Sequence, residues 1–256
     1  TPRILSSAAS DVYKRQLANW ATNVNQAVED NDNGLVTTNS YLGVFYPSGL
    51  TSDNFGNNIV VPASHMMLRT IALSDQVSFP WFAPAGTRRG GITNASSTGY
   101  INAEGEFVST ALNEGQRDTL YTNKVNPITF ITGAGLVNYG QKTRFAGTSS
   151  LDRINVSRLV IYLRSQLNKL ARPFVFEPND KITRDEIKAQ AESLLLELVG
   201  NRAIFDFLVV CDESNNTPTR IDRNELYLDI AIEPVKAVEF IYIPLRLKNT
   251  GEIAGL

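Results

Sequence analysis

The sequence DRINVSRLVIYLRSQLNKL at residues 152–170 decides the fold of this 256-residue chain. Its apolar residues recur every three or four positions, and this spacing predicts an amphipathic helix over the whole stretch. A second helix is predicted to start at Thr183, because Thr183 and Glu186 have the spacing of a capping box, and to end at Gly200. Two such helices followed by strands predict an α+β fold.

Strand patterns occur both after and before these two helices. Residues 205–211 are mostly apolar, which is typical of a buried strand. Residues 226–232 alternate in polarity, which is typical of a half-buried strand, and residues 238–248 form the last predicted strand. Further strands are predicted at residues 41–46, 118–121, 128–132 and 136–139, a helix at residues 62–74, and an ordered irregular connection at residues 79–99. We expect a mixed β-sheet packed by two or three amphipathic helices, with an extended C-terminal strand or arm.

The last predicted strand is apolar on both of its faces. A strand of this kind is either central in its own sheet or waiting for a partner strand. Pro244 cannot donate a ladder hydrogen bond, which argues against a fully paired central position. Two possibilities therefore stay open: the strand closes its own sheet, or it adds to the sheet of a neighbouring subunit. The predicted inter-subunit arm consists of Glu239, Phe240, Ile241, Tyr242, Ile243, Leu245 and Leu247.

Composition and charge argue against several functional classes. The formal net charge is −2, and no basic stripe indicates a nucleic-acid partner. One cysteine, Cys211, and one histidine, His65, are too few for a disulfide framework or a cysteine-rich zinc site. No apolar run reaches the roughly 18 residues of a membrane helix. We predict no catalytic residues, no metal, no cofactor, no nucleic-acid partner and no membrane insertion.

Several polar residues are explained by structural roles. Asp180, Asp185 and Glu186 surround a predicted helix start, where negative charge is favoured by the helix dipole. Residues 212–217 offer oxygen atoms to a cation, but their spacing is not that of an EF-hand loop. We interpret residues 212–217 as a solvated turn and Cys211 as a small buried hydrophobic residue.

The segment GLVNYGQKT at residues 135–143 resembles a phosphate-binding loop but departs from its spacing. Such a loop has lysine directly after its second glycine, whereas Gln141 separates Gly140 from Lys142 in this chain. The bulky residues between the glycines also favour a strand. A nucleotide-binding enzyme that uses the Gly133–Thr143 loop is the alternative function from a different class.

Eight short motifs in a fixed order resemble the contractile-tail sheath proteins of phages. Five of them are VPASH at 61–65, PWFAPAG at 80–86, VNPI at 125–128, YGQKT at 139–143 and FEPND at 176–180. The chain lacks the glycine that usually precedes the histidine of the first motif, and a tyrosine replaces the tryptophan that usually begins the motif at 139–143. The motif residues singled out are Pro62, Ser64, His65, Pro84, Gly86, Asn126, Pro127, Gly140, Thr143, Glu177 and Pro178.

This resemblance implies a structural function rather than an enzymatic one. Sheath subunits form hexameric rings that stack helically around an inner tube, and their contraction drives the tube through the host envelope. The implied partners are further copies of the chain, the tail tube protein, and the baseplate and tail terminator proteins. The implied location is the virion tail sheath, assembled in the host cytoplasm; the sheath of a bacterial contractile injection system is the alternative origin.

The resemblance also predicts how the chain is divided. Residues 1–16 resemble an adapter remnant, residues 17–150 are expected to be part of the sheath core domain, and residues 151–256 are expected to be the C-terminal sheath domain with its arm. We therefore expect an N-terminal portion to be missing. The arm is expected to hinge near Val238, and the residues predicted to contact an acidic tube surface, or simply to be solvated, are Lys169, Arg172 and Lys181.

Overall fold

A computed structural model describes residues 23–34, 38–102, 104–147 and 149–242. The helices are α1 (Val24–Gly34), α2 (Ala63–Val77), α3 (Gly86–Arg89), α4 (Glu114–Thr122), α5 (Ile154–Ala171), α6 (Lys181–Gly200) and α7 (Pro218–Ile221). The strands are β1 (Val44–Tyr46), β2 (Ser48–Ser52), β3 (Asn58–Val61), β4 (Ser97–Ile101), β5 (Phe107–Ser109), β6 (Val125–Ile131), β7 (Gly135–Asn138), β8 (Ile204–Val210) and β9 (Asp229–Pro234). The predicted α+β class is confirmed.

The strands divide among separate sheets rather than forming the single mixed sheet that we expected. In the mixed sheet β1 pairs in parallel with β6, and β6 pairs in antiparallel orientation with β7. A four-stranded antiparallel sheet has the order β3-β2-β4-β5. The third sheet is an antiparallel ribbon of β8 and β9, both of which follow the long helices α5 and α6 in sequence.

Hydrophobic clusters join the two halves of the chain. Met66 and Met67 of α2 are fully buried in one cluster, which also contains Ile154 from the start of α5. In a second cluster, Trp81 packs with residues of α5, α6 and β8. The indole N–H of Trp81 also donates a hydrogen bond to the Asn201 carbonyl at 3.1 Å. Burial of Trp81 therefore orders the predicted irregular connection at residues 79–99, although Phe79 stays 44% exposed and the connection also contains α3 and the start of β4.

The predicted long helices are confirmed, but some of their start signals were wrong. The N-cap of α6 is Asp180, whose side chain accepts a hydrogen bond from the Thr183 amide at 2.9 Å, so Thr183 lies inside the helix. Gly200 is the last residue of α6 rather than the residue after it, and Asn201 is the C-cap. The carboxylate at position 180 occupies the role of N-cap that the predicted capping box would have given to Thr183.

The strand predicted at residues 118–121 is wrong, because these residues lie in α4. A capping box formed by Asn113 and Gln116 starts this helix, with Gln116 N donating to Asn113 Oδ1 at 2.9 Å. Leu120 is fully buried against the cluster that includes α1. The capping box stabilises the start of α4, and burial of Leu120 stabilises the helix against its neighbours, although the segment has few apolar residues.

The two strands after α6 differ in how well burial was predicted. In β9 exposed and half-buried residues alternate, as predicted, although residues 226–228 precede the strand. In β8 the prediction of a buried strand is wrong, because the side chains of Phe205 and Leu208 are 67% and 61% exposed. Residues 238–242 form no strand, and the rest of the predicted terminal strand lies outside the described residues.

Replacing the N-cap of α6 distinguishes the observed cap from the predicted one. We expect Asp180→Ala to lower the free energy of unfolding by clearly more than the control variant does, because the Thr183 amide loses its acceptor. Glu186→Ala, the partner in the predicted capping box, is expected to change it by less than about 0.5 kcal/mol. Urea unfolding followed by circular dichroism measures both, and equal losses in the two variants would contradict the assignment.

Candidate functional site

The side chain of Asn126 connects three segments in the interior of the mixed sheet. It is completely buried on β6, and its amide group donates to the carbonyls of Val44 at 2.9 Å and Lys142 at 2.8 Å. Its carbonyl oxygen accepts a hydrogen bond from the Lys142 amide at 2.6 Å. A Cβ atom on Gly140 would lie 2.8 Å from this oxygen, so the close approach requires glycine. Asn126 therefore fixes the segment after β7 against β1 and β6.

A second buried amide, that of Asn138, brings in the segment before α3. Its side-chain nitrogen donates to the carbonyls of Pro84 and Gly140, each at 2.8 Å. The amide of Tyr139 donates to the carbonyl of Pro127 at 2.8 Å, and the Thr143 hydroxyl donates to the Leu151 carbonyl at 2.9 Å. The three motifs at residues 80–86, 125–128 and 139–143 are thus joined by hydrogen bonds.

The remaining motif residues lie elsewhere. Pro62 is the N-cap of α2, Ser64 is buried in its first turn, and His65 is exposed. Glu177 and Pro178 are exposed in the connection between α5 and α6. Gly86 begins α3 with a φ of +72°, a conformation that glycine adopts without strain. These residues do not contribute to the cluster around Asn126.

The carboxylate of Glu239 binds in a polar socket beside this cluster. The Arg153 guanidinium contacts it in a bidentate manner, with Nε 2.5 Å from Oε1 and Nη2 3.0 Å from Oε2. Gln141 Nε2 donates to Oε1 at 3.1 Å, and the Tyr121 hydroxyl is a third hydrogen-bond partner. The Glu239 side chain is only 16% exposed, so the segment that leads to the predicted arm is tied to the interior.

The charges in this socket shift each other's pKa values. Burial raises the pKa of the Glu239 carboxyl, but hydrogen bonds from Arg153, Gln141 and Tyr121 outweigh burial and hold it below its usual range. Burial, reinforced by the Glu239 charge, raises the pKa of Tyr121. Burial and then the positive charge of Arg153 lower the pKa of Lys142. Glu239 is therefore held as a carboxylate.

Sequence reasoning assigns Glu239 to the arm but does not identify its partners. Arg153 is the N-cap of α5, and from the sequence alone it is interpreted as an ordinary solvent-exposed charged residue. In the sequence, Gln141 is only an insertion that breaks a phosphate-loop spacing, and Tyr121 falls in a wrongly predicted strand. A basic residue at a helix N-terminus, where a positive charge is unfavourable, is the one sequence signal that points to an acidic partner.

The geometry of the Gly133–Thr143 loop does not support nucleotide binding. Its first half is the turn into β7 and β7 itself. Lys142 Nζ donates to the Tyr121 carbonyl at 2.8 Å and lies 4.2 Å from the centroid of the Tyr121 ring. The lysine of a phosphate loop would instead have to reach the phosphates.

The loop between β8 and β9 is more ordered than the solvated turn we predicted at residues 212–217. Asn216 is buried, with its carbonyl oxygen accepting a hydrogen bond from the Tyr227 amide at 2.7 Å. Asn215 Nδ2 donates to the Val210 carbonyl at 2.8 Å and to Asp229 Oδ2 at 2.9 Å. Cys211 is buried, as predicted. These bonds join the end of β8 to the start of β9.

The described residues contain no group of three or more His, Cys, Asp or Glu side chains that is placed to hold a metal ion. Within the same residues, no helix combines the length and the hydropathy that crossing a bilayer requires. The features that stand out in the described residues are the socket of Glu239 and the exposed apolar residues Phe205 and Leu208 of β8.

Comparison with known proteins defines the class. Residues 147–248 match the family profile of the phage tail sheath C-terminal domain. Together with the curated relatives described next, this match shows that the chain is homologous to structural proteins of contractile tail sheaths. The predicted boundary between residues 150 and 151 stays a prediction.

The individual relatives extend the match to most of the chain. Over 244 residues it is 34% identical to the tail sheath protein of Vibrio phage KVP40, covering 92% of this chain and 35% of that protein. Over 248 residues it is 32% identical to the tail sheath protein of Enterobacteria phage T4, covering 94% of this chain and 35% of that protein. The chain is homologous to both and spans about a third of their length.

A solved structure shows the same fold. The chain is similar, with a TM-score of 0.71 and 20% identity, to a cryo-EM structure of the PVC sheath complex of an extracellular contractile injection system in its contracted state. The match covers 88% of this chain and 60% of that chain. The fold therefore also occurs in sheaths of injection systems.

Changing the Asn126 amide to a carboxylate tests its role in holding the three segments. We expect Asn126→Asp to lower the free energy of unfolding by at least about 2 kcal/mol, because two main-chain carbonyls lose their donor and a charge is placed at a fully buried position. Asn58→Asp, the same change at an exposed position of β3, is the control and is expected to cost under about 0.5 kcal/mol. Urea denaturation measures both, and similar values would refute the assigned role.

The socket of Glu239 predicts a specific pH dependence. Because the pKa of Glu239 in the folded chain lies below its ordinary value of 4.5, the ionised carboxylate stabilises the fold above that pH and ceases to do so as the pH falls further. Glu239→Gln should therefore cost about 1–3 kcal/mol near neutral pH. The difference in melting temperature between the unmodified chain and this variant should shrink in acid below pH 4.5.

Glu233→Gln on β9 is the matched control for this titration, because Glu233 is exposed. The control variant should have the same melting temperature as the unmodified chain at every pH. Comparing each variant with the unmodified chain at the same pH removes the contribution of the other carboxylates. A difference for Glu239→Gln that stays constant far into acid, or grows there, would contradict the ionised socket.

Proposed function

We propose that the chain forms part of a contractile sheath subunit that assembles into stacked hexameric rings around an inner tube and contracts to drive the tube through a host envelope. The homology to two phage tail sheath proteins over more than nine-tenths of the chain supports the proposal. The ring partners, the tube, the baseplate and the tail terminator are part of this proposal, as is assembly in the host cytoplasm.

The observation that carries the proposal is the β8–β9 ribbon. Its two strands pair with each other, and in the described part of the chain no further strand pairs with either of them. Within the described residues the outer edge of β8 is therefore unpaired, and Phe205 and Leu208 of this strand are exposed. An open edge with exposed apolar side chains is a template for an added strand. We propose that it receives a strand from a neighbouring subunit.

The segment that would supply such a strand begins directly after Glu239. The side chains of Phe240, Ile241 and Tyr242 are 68%, 77% and 88% exposed, and their backbone forms no strand. The arm residues Ile243, Leu245 and Leu247 lie outside the described residues. Exposing a run of large apolar residues to water is unfavourable, and covering that run with a partner sheet is favourable because it buries the apolar surface. We propose that this segment is the C-terminal arm.

Strand addition suits a contractile assembly for a physical reason. Main-chain hydrogen bonds between strands depend little on the identity of the side chains, so a neighbour can be held while the rigid parts of the subunits rotate. Lys169, Arg172 and Lys181 are exposed around the connection between α5 and α6. They are proposed contacts for an acidic tube surface, although exposed charges contribute little individually.

Negative-stain electron microscopy of the complete gene product tests strand addition. We expect striated tubes or stacked rings from the unmodified protein and none after removal of residues from Phe240 onward. Leu208→Lys should weaken assembly at least about tenfold in critical concentration, because a charge at an open edge opposes pairing. Phe55→Lys changes an exposed phenylalanine in a loop and should assemble normally.

The outcomes separate two levels of the proposal. Normal tubes from the truncated protein would show that the arm is not the inter-subunit strand. Dispersed particles from the unmodified protein at every salt concentration would overturn self-assembly as a whole.

A further inference from the structure

The last described segment is attached to the interior at two points. The Val235 amide donates to the Ala203 carbonyl at 3.1 Å, just beyond the pairing of Pro234 with Ile204. Four residues later the Glu239 carboxylate binds Arg153. Val238, which lies between these attachments, is 78% exposed, so the chain is bound through Glu239 rather than through continuous packing.

The socket that holds Glu239 is itself fixed by backbone and side-chain contacts. The Ile154 amide donates to the Gln141 carbonyl at 2.7 Å, which holds the backbone of Gln141 beside that of Arg153. Asp152 Oδ2 accepts a hydrogen bond from the remaining nitrogen of the Arg153 guanidinium at 2.6 Å. Tyr121 lies in α4 and is packed by the Lys142 ammonium group. A socket whose donors are held in this way binds a carboxylate with little loss of side-chain entropy.

Exposure changes abruptly at the next residue. The Glu239 side chain is 16% exposed, whereas Phe240, which follows it, is 68% exposed. A boundary between fixed and free chain is expected where the last strong contact ends. That boundary lies at the peptide bond between Glu239 and Phe240, just beyond the hinge expected near Val238.

We infer that Glu239 is the root of the C-terminal arm: its carboxylate fixes the chain to its own subunit, and the chain leaves the subunit surface at Phe240. The role of the following segment as an arm rests on the proposed function, but the attachment itself is a property of the single chain. Glu239 thus acts as a positioning residue that determines where the arm leaves the subunit. The charged and titratable groups around it are Arg153, Tyr121, Asp152 and Lys142.

Limited proteolysis of the full chain tests the attachment directly. A protease specific for glutamate must take the Glu239 side chain into its own pocket, and the socket competes for that side chain. Chymotrypsin instead takes the ring of Tyr242, which is 88% exposed, and does not compete with the socket for the Glu239 side chain. Mass spectrometry follows the two cleavages in parallel, and we expect slow cleavage after Glu239 and fast cleavage after Tyr242 in the unmodified chain.

Variants of the socket supply the decisive comparison. Arg153→Met should accelerate cleavage after Glu239 by about tenfold or more, because the charge-assisted hydrogen bonds are lost, while cleavage after Tyr242 stays within about twofold. Tyr121→Phe, which removes one hydroxyl and keeps the ring, should accelerate it by less. Arg164→Met on the exposed face of α5 is the matched control and should change neither rate.

Cleavage after Glu197, inside α6, reports global unfolding of any variant. If Arg153→Met also accelerates cleavage after Glu197, that variant is unfolded, and Tyr121→Phe then decides the test: it too should accelerate cleavage after Glu239. The inference is overturned if the unmodified chain is cleaved after Glu239 as fast as after Tyr242, or if the folded socket variants do not accelerate that cleavage. Neither result bears on sheath assembly, and a failure of assembly with a protected Glu239 would overturn the proposed function alone.

Discussion

A single buried amide group, that of Asn126, is the constraint on which the arrangement of the mixed sheet and the segments around it depends. An amide taken out of water must find partners for its donors and its acceptor, and Asn126 finds them on two other segments. Gly140 must then be a glycine, because any larger residue would collide with the Asn126 oxygen. The adjacent Gln141 is set in place by the same bonds, so the socket of Glu239 depends indirectly on this amide.

Polar contacts of this kind explain how separate hydrophobic clusters behave as one interior. Burial of apolar residues is non-directional and would tolerate sliding of one cluster against another. Directed bonds prevent this: Arg158 of α5, which is buried, pairs with Asp75 of α2 and joins the helix in the first half to the helix in the second. Breaking such a pair leaves a buried charge uncompensated, which is far more costly than the pair is favourable.

Local pattern and resemblance were sufficient for part of this architecture. The spacing of residues 152–170 predicted α5 within two residues at each end, and the order of the motifs predicted the family. The spacing cannot show which of two candidate caps wins, as at Asp180, or which face of β8 stays open. Nor can it pair Glu239 with Arg153, 86 positions earlier, because that contact exists only after both segments have packed.

In the proposed strand addition, the Glu239 socket would supply what pairing through main-chain groups lacks. Pairing through main-chain groups holds an added strand firmly, but it is permissive about register, because a shift along the strand replaces each hydrogen bond by an equivalent one. A side-chain contact of fixed geometry at the point where the arm begins removes that freedom. A bidentate guanidinium–carboxylate pair is suited to this task, since its two parallel bonds determine orientation as well as distance. In this proposal the apolar residues after Glu239 need no specific polar contact of their own, because the register of the added strand is set at Glu239.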